Sequence, residues 1–226
     1  MTLMSDISIS LESVLAEIER ARQLAPKAQP VKLIAVSKQQ PDEKLEAALA
    51  ANMRVFGENR VQEASTHWAH RRAVVPDLEL HLIGPLQTNK AAEAVALFDV
   101  IHTVDRPKLA RILAQEMQKQ GRNLSCFIQV NTGMEPQKSG VLPDDTANFI
   151  QQCQTEFGLD IIGLMCIPPA DEEPVMHFAL LKKLGDAAGL SQLSMGMSGD
   201  YPAAIQLGAT HIRVGSSLFG ARLPRS

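Results

Sequence analysis

Lys38 closes the apolar run VKLIAVS at residues 31–37, where a charged ammonium is costly unless it has a task. Two turns rich in glycine and serine stand far from it in the chain, MGMSGD at 195–200 and VGSSLFG at 214–220, and Arg213 immediately precedes the second. Small residues let backbone N–H groups approach an anion, serine hydroxyls add donors, and a following helix start adds a favourable dipole. Ser198, Gly215 and Ser216 therefore make a candidate phosphate cup. An amine desolvated beside a fixed guanidinium loses proton affinity, and a neutral amine attacks an aldehyde. Each feature also has a plainer reading. A lysine at a strand end can snorkel to solvent, glycine and serine are ordinary turn and cap residues, and Arg213 can pair with a buried carboxylate. Neither turn is a dinucleotide G-x-G-x-x-G or a Walker A sequence, so nucleotide cofactors are not indicated.

The elements that must position these groups are read from the alternation of apolar runs and helical stretches. Eight β-rich runs occur, at 31–37, 53–58, 78–84, 98–104, 124–131, 159–165, 192–196 and 211–215. Between them lie segments such as PDEKLEAALAAN and DRPKLARILAQEMQKQ, charged, rich in alanine or leucine and free of interior proline, as helices prefer. Continuous apolar strands imply a parallel sheet covered on both faces, and eight alternating units in 226 residues favour a closed (β/α)8 TIM-type barrel over an open doubly wound sheet. The short seventh and eighth runs are the weakest signals. Residues 1–26 read as an extra helix packed on the barrel, with Leu11, Val14, Leu15, Ile18 and Leu24 at helical spacing. One domain spanning 1–226 is expected, since no linker-like shift in composition interrupts the series.

In such barrels the chemistry sits at the C-terminal strand ends, with phosphate held by the loops after strands seven and eight. Closure makes the last strand neighbour the first, bringing Lys38 beside Arg213 and the cup. Amine, guanidinium and anion cup suit one ligand with an aldehyde at one end and a phosphate at the other, pyridoxal 5′-phosphate.

Composition narrows the classes further. A net charge of −3 gives no broad footprint for nucleic acid or an anionic membrane, so neither partner is expected. Cys126, Cys153 and Cys166 are widely spaced and form no CxxC pair, which reads as reduced thiols in a cytoplasmic protein. The N-terminal stretch lacks a basic region followed by a long apolar run, and no transmembrane segment is read elsewhere. His67, His70, His102, His177 and His211 show no H-x-x-x-H pair, so no metal site is expected.

At the level of whole motifs the sequence resembles the pyridoxal-phosphate homeostasis family, single-domain proteins related to the barrel domain of alanine racemase. The likeness runs in order through LIAVSK (33–38), FGENRVQEA (56–64), HLIGPLQTNK (81–90), IHTVDR (101–106), GLMCIP (163–168), LSMGMSGD (193–200) and IRVGSSLFGAR (212–222). The QVN and KSG segments at 129–131 and 138–140 belong to the same series. The resemblance implies that Lys38 holds the cofactor as a Schiff base, that Ser198, Gly215 and Ser216 contact its phosphate, and that Arg213 faces the pyridine nitrogen. An arginine there leaves the ring a weak electron sink. A cytoplasmic carrier or buffer of the cofactor is implied, a monomer without substrate turnover that supplies pyridoxal-phosphate-dependent apo-enzymes. The alternatives are a racemase or lyase, which needs a second acid-base group, and a Schiff-base aldolase, which would hold no chromophore.

Two departures from the family pattern stand out. Arg60 occupies the usual tyrosine position of FGENY, adding a charge at the rim, and the segment at 185–191 is short. The one tyrosine, Tyr201, lies just after the phosphate turn, where a helix start or a phosphate contact is favoured over catalysis. Asn59 divides evenly between cofactor contact and helix N-cap. His81 reads as a satisfied core histidine, Met165 and Cys166 as apolar packing, and Asn131 and Lys138 as family positions that also suit solvated loops.

Overall fold

In the computed structural model, which describes residues 2–220, the eight apolar runs become eight parallel strands closed in chain order into one barrel. The strands are β1 (Lys32–Val36), β2 (Val55–Glu58), β3 (Glu79–Leu82), β4 (Val100–Val104), β5 (Ser125–Gln129), β6 (Asp160–Met165), β7 (Gln192–Met197) and β8 (His211–Val214). Most are trimmed relative to the runs that announce them, whereas β7 continues through Met197. The seam is sealed by β1 against β8, with Ile34 opposite Arg213 and Ala35 opposite Val214. The connections are α2 (Asp42–Ala50), α3 (Val61–Arg72), α4 (Ala91–Leu97), α5 (Pro107–Gln120), α6 (Thr146–Thr155), α7 (Pro174–Ala187) and α8 (Tyr201–Gln206), with α9 (Ser216–Phe219) after β8.

Successive side chains of a strand point to opposite faces, so each strand feeds two layers. Leu80, Leu82, Ile101, Ile212 and Val214 join the large apolar layer between sheet and helices. The residues between them turn inward. Thus His81, His102 and His211 meet in the barrel interior, with ring centroids 5.0 to 6.1 Å apart, and His102 stacks on Phe127 at 4.4 Å. The interior is polar at its centre, while the outer layer supplies the apolar burial that drives folding.

The added helix, α1 (Thr2–Leu24), packs against α2, α8 and α9. Its buried face is Ile7, Leu11, Val14, Ile18 and Ala21, a strict four-three spacing, whereas Leu15 is 48 % and Leu24 71 % exposed. The sequence reading of Leu15 and Leu24 as part of that face is corrected. Leu15 sits one residue, and so about 100°, away from Val14 around the helix.

Candidate functional site

At the C-terminal mouth of the barrel lies a pocket of about 290 Å³, and all six residues singled out from the sequence, Lys38, Asn59, Ser198, Arg213, Gly215 and Ser216, line it. Ile83, Ile167 and Met197 form its apolar walls. A larger groove of about 660 Å³ between α5 and the turn into β6, lined by Arg111, Arg122 and Phe157, shares no residue with it.

Lys38 sits two residues past β1, in a turn rather than on the strand. Its neighbours on either side are tied down. Ser37 Oγ donates to Glu58 Oε1 at 2.7 Å, and the backbone N–H of Gln39 donates to Glu63. Gln39 has φ 58°, a left-handed conformation that costs a non-glycine residue on the order of 1 kcal/mol. Glu58 is anchored in turn by Trp68 Nε1 at 3.0 Å and His67 Nδ1 at 2.9 Å. Two acidic side chains, one on β2 and one on α3, thereby fix the turn that carries the amine.

The anion cup depends on an irregularity in β7. Ser194 pairs with His211 but Met197 with Arg213, so β7 holds one residue more than β8 over this stretch. The bulge is centred on Gly196, whose φ of 90° suits glycine and whose Cβ would lie 2.7 Å from that of Ala204. It turns Ser198 toward the start of the last helix, where Ser198 Oγ accepts the Gly215 N–H at 3.2 Å. The helices after these turns, α8 and α9, span only six and four residues. The dipole expected there is correspondingly small, and the cup rests on N–H and hydroxyl donors.

Arg213 forms the floor. It is 4 % exposed, and its guanidinium donates from Nη1 to Ser194 Oγ at 2.7 Å and from Nη2 to the Cys166 carbonyl at 2.9 Å. Both partners are neutral, so the expected alternative of a buried carboxylate is corrected. Burial pushes the Arg213 pKa down, and a guanidinium keeps its charge in proteins. A buried cation whose partners are uncharged leaves room for an electron-rich ligand atom at its open side.

The other weighed residues resolve as follows. Asn59 is not an N-cap, because α3 starts one residue later and Arg60 occupies that position. Gly84 allows the close approach that places it: a Cβ there would lie 2.3 Å from the Asn59 carbonyl oxygen. Tyr201 does open α8, but its hydroxyl donates to Glu17 Oε2 on α1 at 2.6 Å, which corrects the phosphate-contact reading. His81 is a satisfied core histidine, as read, between Glu79 and His102. Met165 and Cys166 are buried, and burial raises the Cys166 thiol to about 12. Asn131 is buried rather than solvated, bracing its loop through the backbone of Glu135, to which Lys138 also pairs. Glu58, Glu63 and His67 went unnoticed as a group. They place one potential ligand atom each within 4.8 Å of the others, a closeness made by the His67 to Glu58 hydrogen bond rather than by a sequence motif. Among the described residues no helix is long and apolar enough to cross a membrane.

Comparison with known proteins bears on the family and the fold. Residues 9–223 match the family model for the alanine racemase N-terminal domain. Proteins named pyridoxal phosphate homeostasis protein are similar over nearly their whole length. That of Pseudomonas aeruginosa is 40 % identical, with 97 % of each chain covered, and that of Escherichia coli 35 % identical, covering 97 % of this chain and 98 % of the other. The structure of PipY from Synechococcus elongatus with PLP bound is 40 % identical, with a TM-score of 0.81 over 95 % of this chain and all of the other. Alanine racemase of Clostridium difficile shares the fold at 15 % identity, with a TM-score of 0.69, and there this chain spans 58 % of the longer one. With the barrel, the motifs and these relatives in agreement, the chain belongs to the pyridoxal phosphate homeostasis protein family.

Proposed function

We propose that this chain, as one barrel domain, binds pyridoxal 5′-phosphate and serves as a carrier or buffer of it, without turning over a substrate. The observation that carries the reading is the meeting of Lys38, Arg213 and the Ser198, Gly215 and Ser216 cup in one pocket of about 290 Å³. The donor set fits the cofactor from end to end. Lys38 would hold the aldehyde end through its amine, the cup would offer N–H and hydroxyl donors to the phosphate, and Arg213 would offer a guanidinium to the ring nitrogen. Bound there, the cofactor supplies an electrophilic carbon and a ring that can withdraw electrons. Asn59 would stand beside the bound cofactor, and Ile83, Ile167 and Met197 would wall its ring.

Among the described residues, Lys38 and Arg213 are the titratable side chains lining the pocket, and the one tyrosine, Tyr201, is committed to Glu17. A second acid-base group within reach is what amino-acid turnover requires, so this lining supports a carrier. The PLP-bound structure of PipY supports the ligand. The same reading places the protein in the cytoplasm as a monomer that hands cofactor to apo-enzymes.

An absorption spectrum of the purified protein, followed by borohydride reduction and peptide mass mapping, tests this directly. A visible band that vanishes on reduction and leaves a pyridoxyl mass on Lys38 is expected, and Lys38→Ala should lose the trapped adduct entirely. A colourless protein that forms no adduct with added pyridoxal 5′-phosphate would overturn the cofactor reading. Steady turnover across an amino-acid panel would overturn the carrier half alone.

A further inference from the structure

Behind Arg213 a file of buried polar side chains runs down the barrel axis to its other end. Arg213 Nη1 donates to Ser194 Oγ at 2.7 Å, and Ser194 Oγ lies 2.8 Å from His102 Nδ1. His102 Nε2 lies 2.8 Å from His81 Nδ1, and His81 Nε2 lies 2.8 Å from Glu79 Oε1. Glu79 closes the file with Lys32, whose Nζ sits 2.8 and 3.0 Å from the two carboxylate oxygens. Lys32 and Glu79 begin β1 and β3, at the mouth opposite the pocket. Ser194, His81 and His102 are fully buried.

The chemistry of the two ends orders every proton between them. An arginine can only donate and an ionised carboxylate can only accept. Glu79 is held at about 2, first by the hydrogen bond from His81 and then by Lys32, so it is ionised at neutral pH. His81 and His102 are both kept neutral by burial. His81 must then carry its proton on Nε2, facing Glu79, which leaves Nδ1 to accept from His102 Nε2. His102 Nδ1 is in turn left to accept from the Ser194 hydroxyl, whose oxygen accepts from Arg213. One arrangement satisfies all the links, each with a single proton. Reversing any ring would set two donors or two acceptors face to face. His211 stands beside the file, bonded to Thr210 at 2.9 Å, and is not a link in it.

We propose that Ser194, His102, His81 and Glu79 form a positioning relay that fixes the direction of the Arg213 guanidinium and couples it to the ion pair at the far mouth of the barrel. The relay rests on the cofactor reading only for what Arg213 faces. Its function is to hold that donor still against the ring nitrogen, so that cofactor retention is set partly by residues that never touch the cofactor. Because the dipoles all run the same way, each link polarises the next, and a change at Glu79 is felt at Arg213.

The test combines two readouts. Imidazole ¹⁵N spectra of the cofactor-free protein at pH 7 should show His81 and His102 neutral and protonated on Nε2, and a charged ring or an Nδ1 proton at either would overturn the relay. In the loaded protein, Ser194→Ala should release pyridoxal 5′-phosphate about tenfold faster, the loss of one buried charge-assisted hydrogen bond. It should also shift the ¹⁵N resonance of labelled cofactor at the ring nitrogen. Ser194→Thr, which keeps the hydroxyl, should restore both, and Glu79→Gln should shift the same resonance from the far mouth. If Ser194→Ala lowers only the melting temperature, or Glu79→Gln leaves the resonance where it was, the residues are structural and the relay fails. A wild-type protein that takes up no cofactor would sink the functional reading instead, while the imidazole spectra would still decide the proton order.

Discussion

Two histidines of this protein each meet a glutamate at nearly the same distance and end in opposite states. His81, inside the barrel, sits 2.8 Å from Glu79, and His67, on α3 behind the Lys38 turn, sits 2.9 Å from Glu58. Burial dominates at His81, whose side chain has no exposed surface, and its pKa falls despite the carboxylate. At His67 the side chain keeps 13 % of its exposure, the hydrogen bond to Glu58 outweighs desolvation, and the pKa rises. A carboxylate partner therefore does not by itself set the charge of a histidine. The competition between desolvation and partner decides, and here it lowers the pKa of the histidine in the barrel column and raises that of the one in the clamp.

The largest effect should come from breaking the clamp at its acid. Glu58→Ala leaves Ser37 Oγ, Trp68 Nε1 and His67 without their shared acceptor, and a cost of about 3–5 kcal/mol in urea unfolding is expected. A loss below about 1 kcal/mol would mean that the turn is held by other contacts.

An intermediate effect concerns pH. His81, His102 and His211 have folded values below the ordinary 6.5, with His211 at about 3, mainly through burial. As pH falls below 6.5 the unfolded chain takes up protons that the folded chain refuses, so stability declines toward pH 3. Each such histidine adds about 1.4 kcal/mol per pH unit to the slope. Replacing His211 by Phe should flatten the stability profile between about pH 6.5 and 4 by that amount. An unchanged slope would show that His211 titrates normally. Glu79 acts lower on the scale, its contribution lost as pH falls from about 4.5 toward 2.

His67 should give the smallest effect, with the opposite sign. Its folded pKa is raised, so its contribution is complete below 6.5 and is lost as pH rises through the folded value. His67→Gln should cost about 1 kcal/mol at pH 6 and remove that loss on the alkaline side. A variant as stable as the parent at pH 6 would show that the pair contributes nothing.

The barrel and the pocket were legible in the sequence for a physical reason. Strands covered on both faces read as nearly continuous apolar runs, and Lys38, just past the first run, and Arg213, within the last, interrupt that pattern. The relay was not legible, because its four residues come from three strands and His102 meets Ser194 across 92 positions of chain. His81 could be read as satisfied, but not by whom. The sequence does not choose between two roles for Asn59, because a cap is decided by a single residue of register, which propensity does not resolve. The helix face failed at Leu15 and Leu24, where apolar residue type was taken for burial and only the four-three spacing of Ile7 to Ala21 was decisive.

The first and last elements of the chain hold each other: β1 pairs with β8, α1 packs against α8 and α9, and Glu17 accepts the hydroxyl of Tyr201. During synthesis β1 waits for β8, and α1, which also packs against α2, keeps part of its apolar face uncovered until α8 and α9 emerge. A nascent chain stopped before β8 has an open sheet edge and no seam to close. Commitment to the native state therefore waits until the segment carrying Arg213 and the anion cup has emerged.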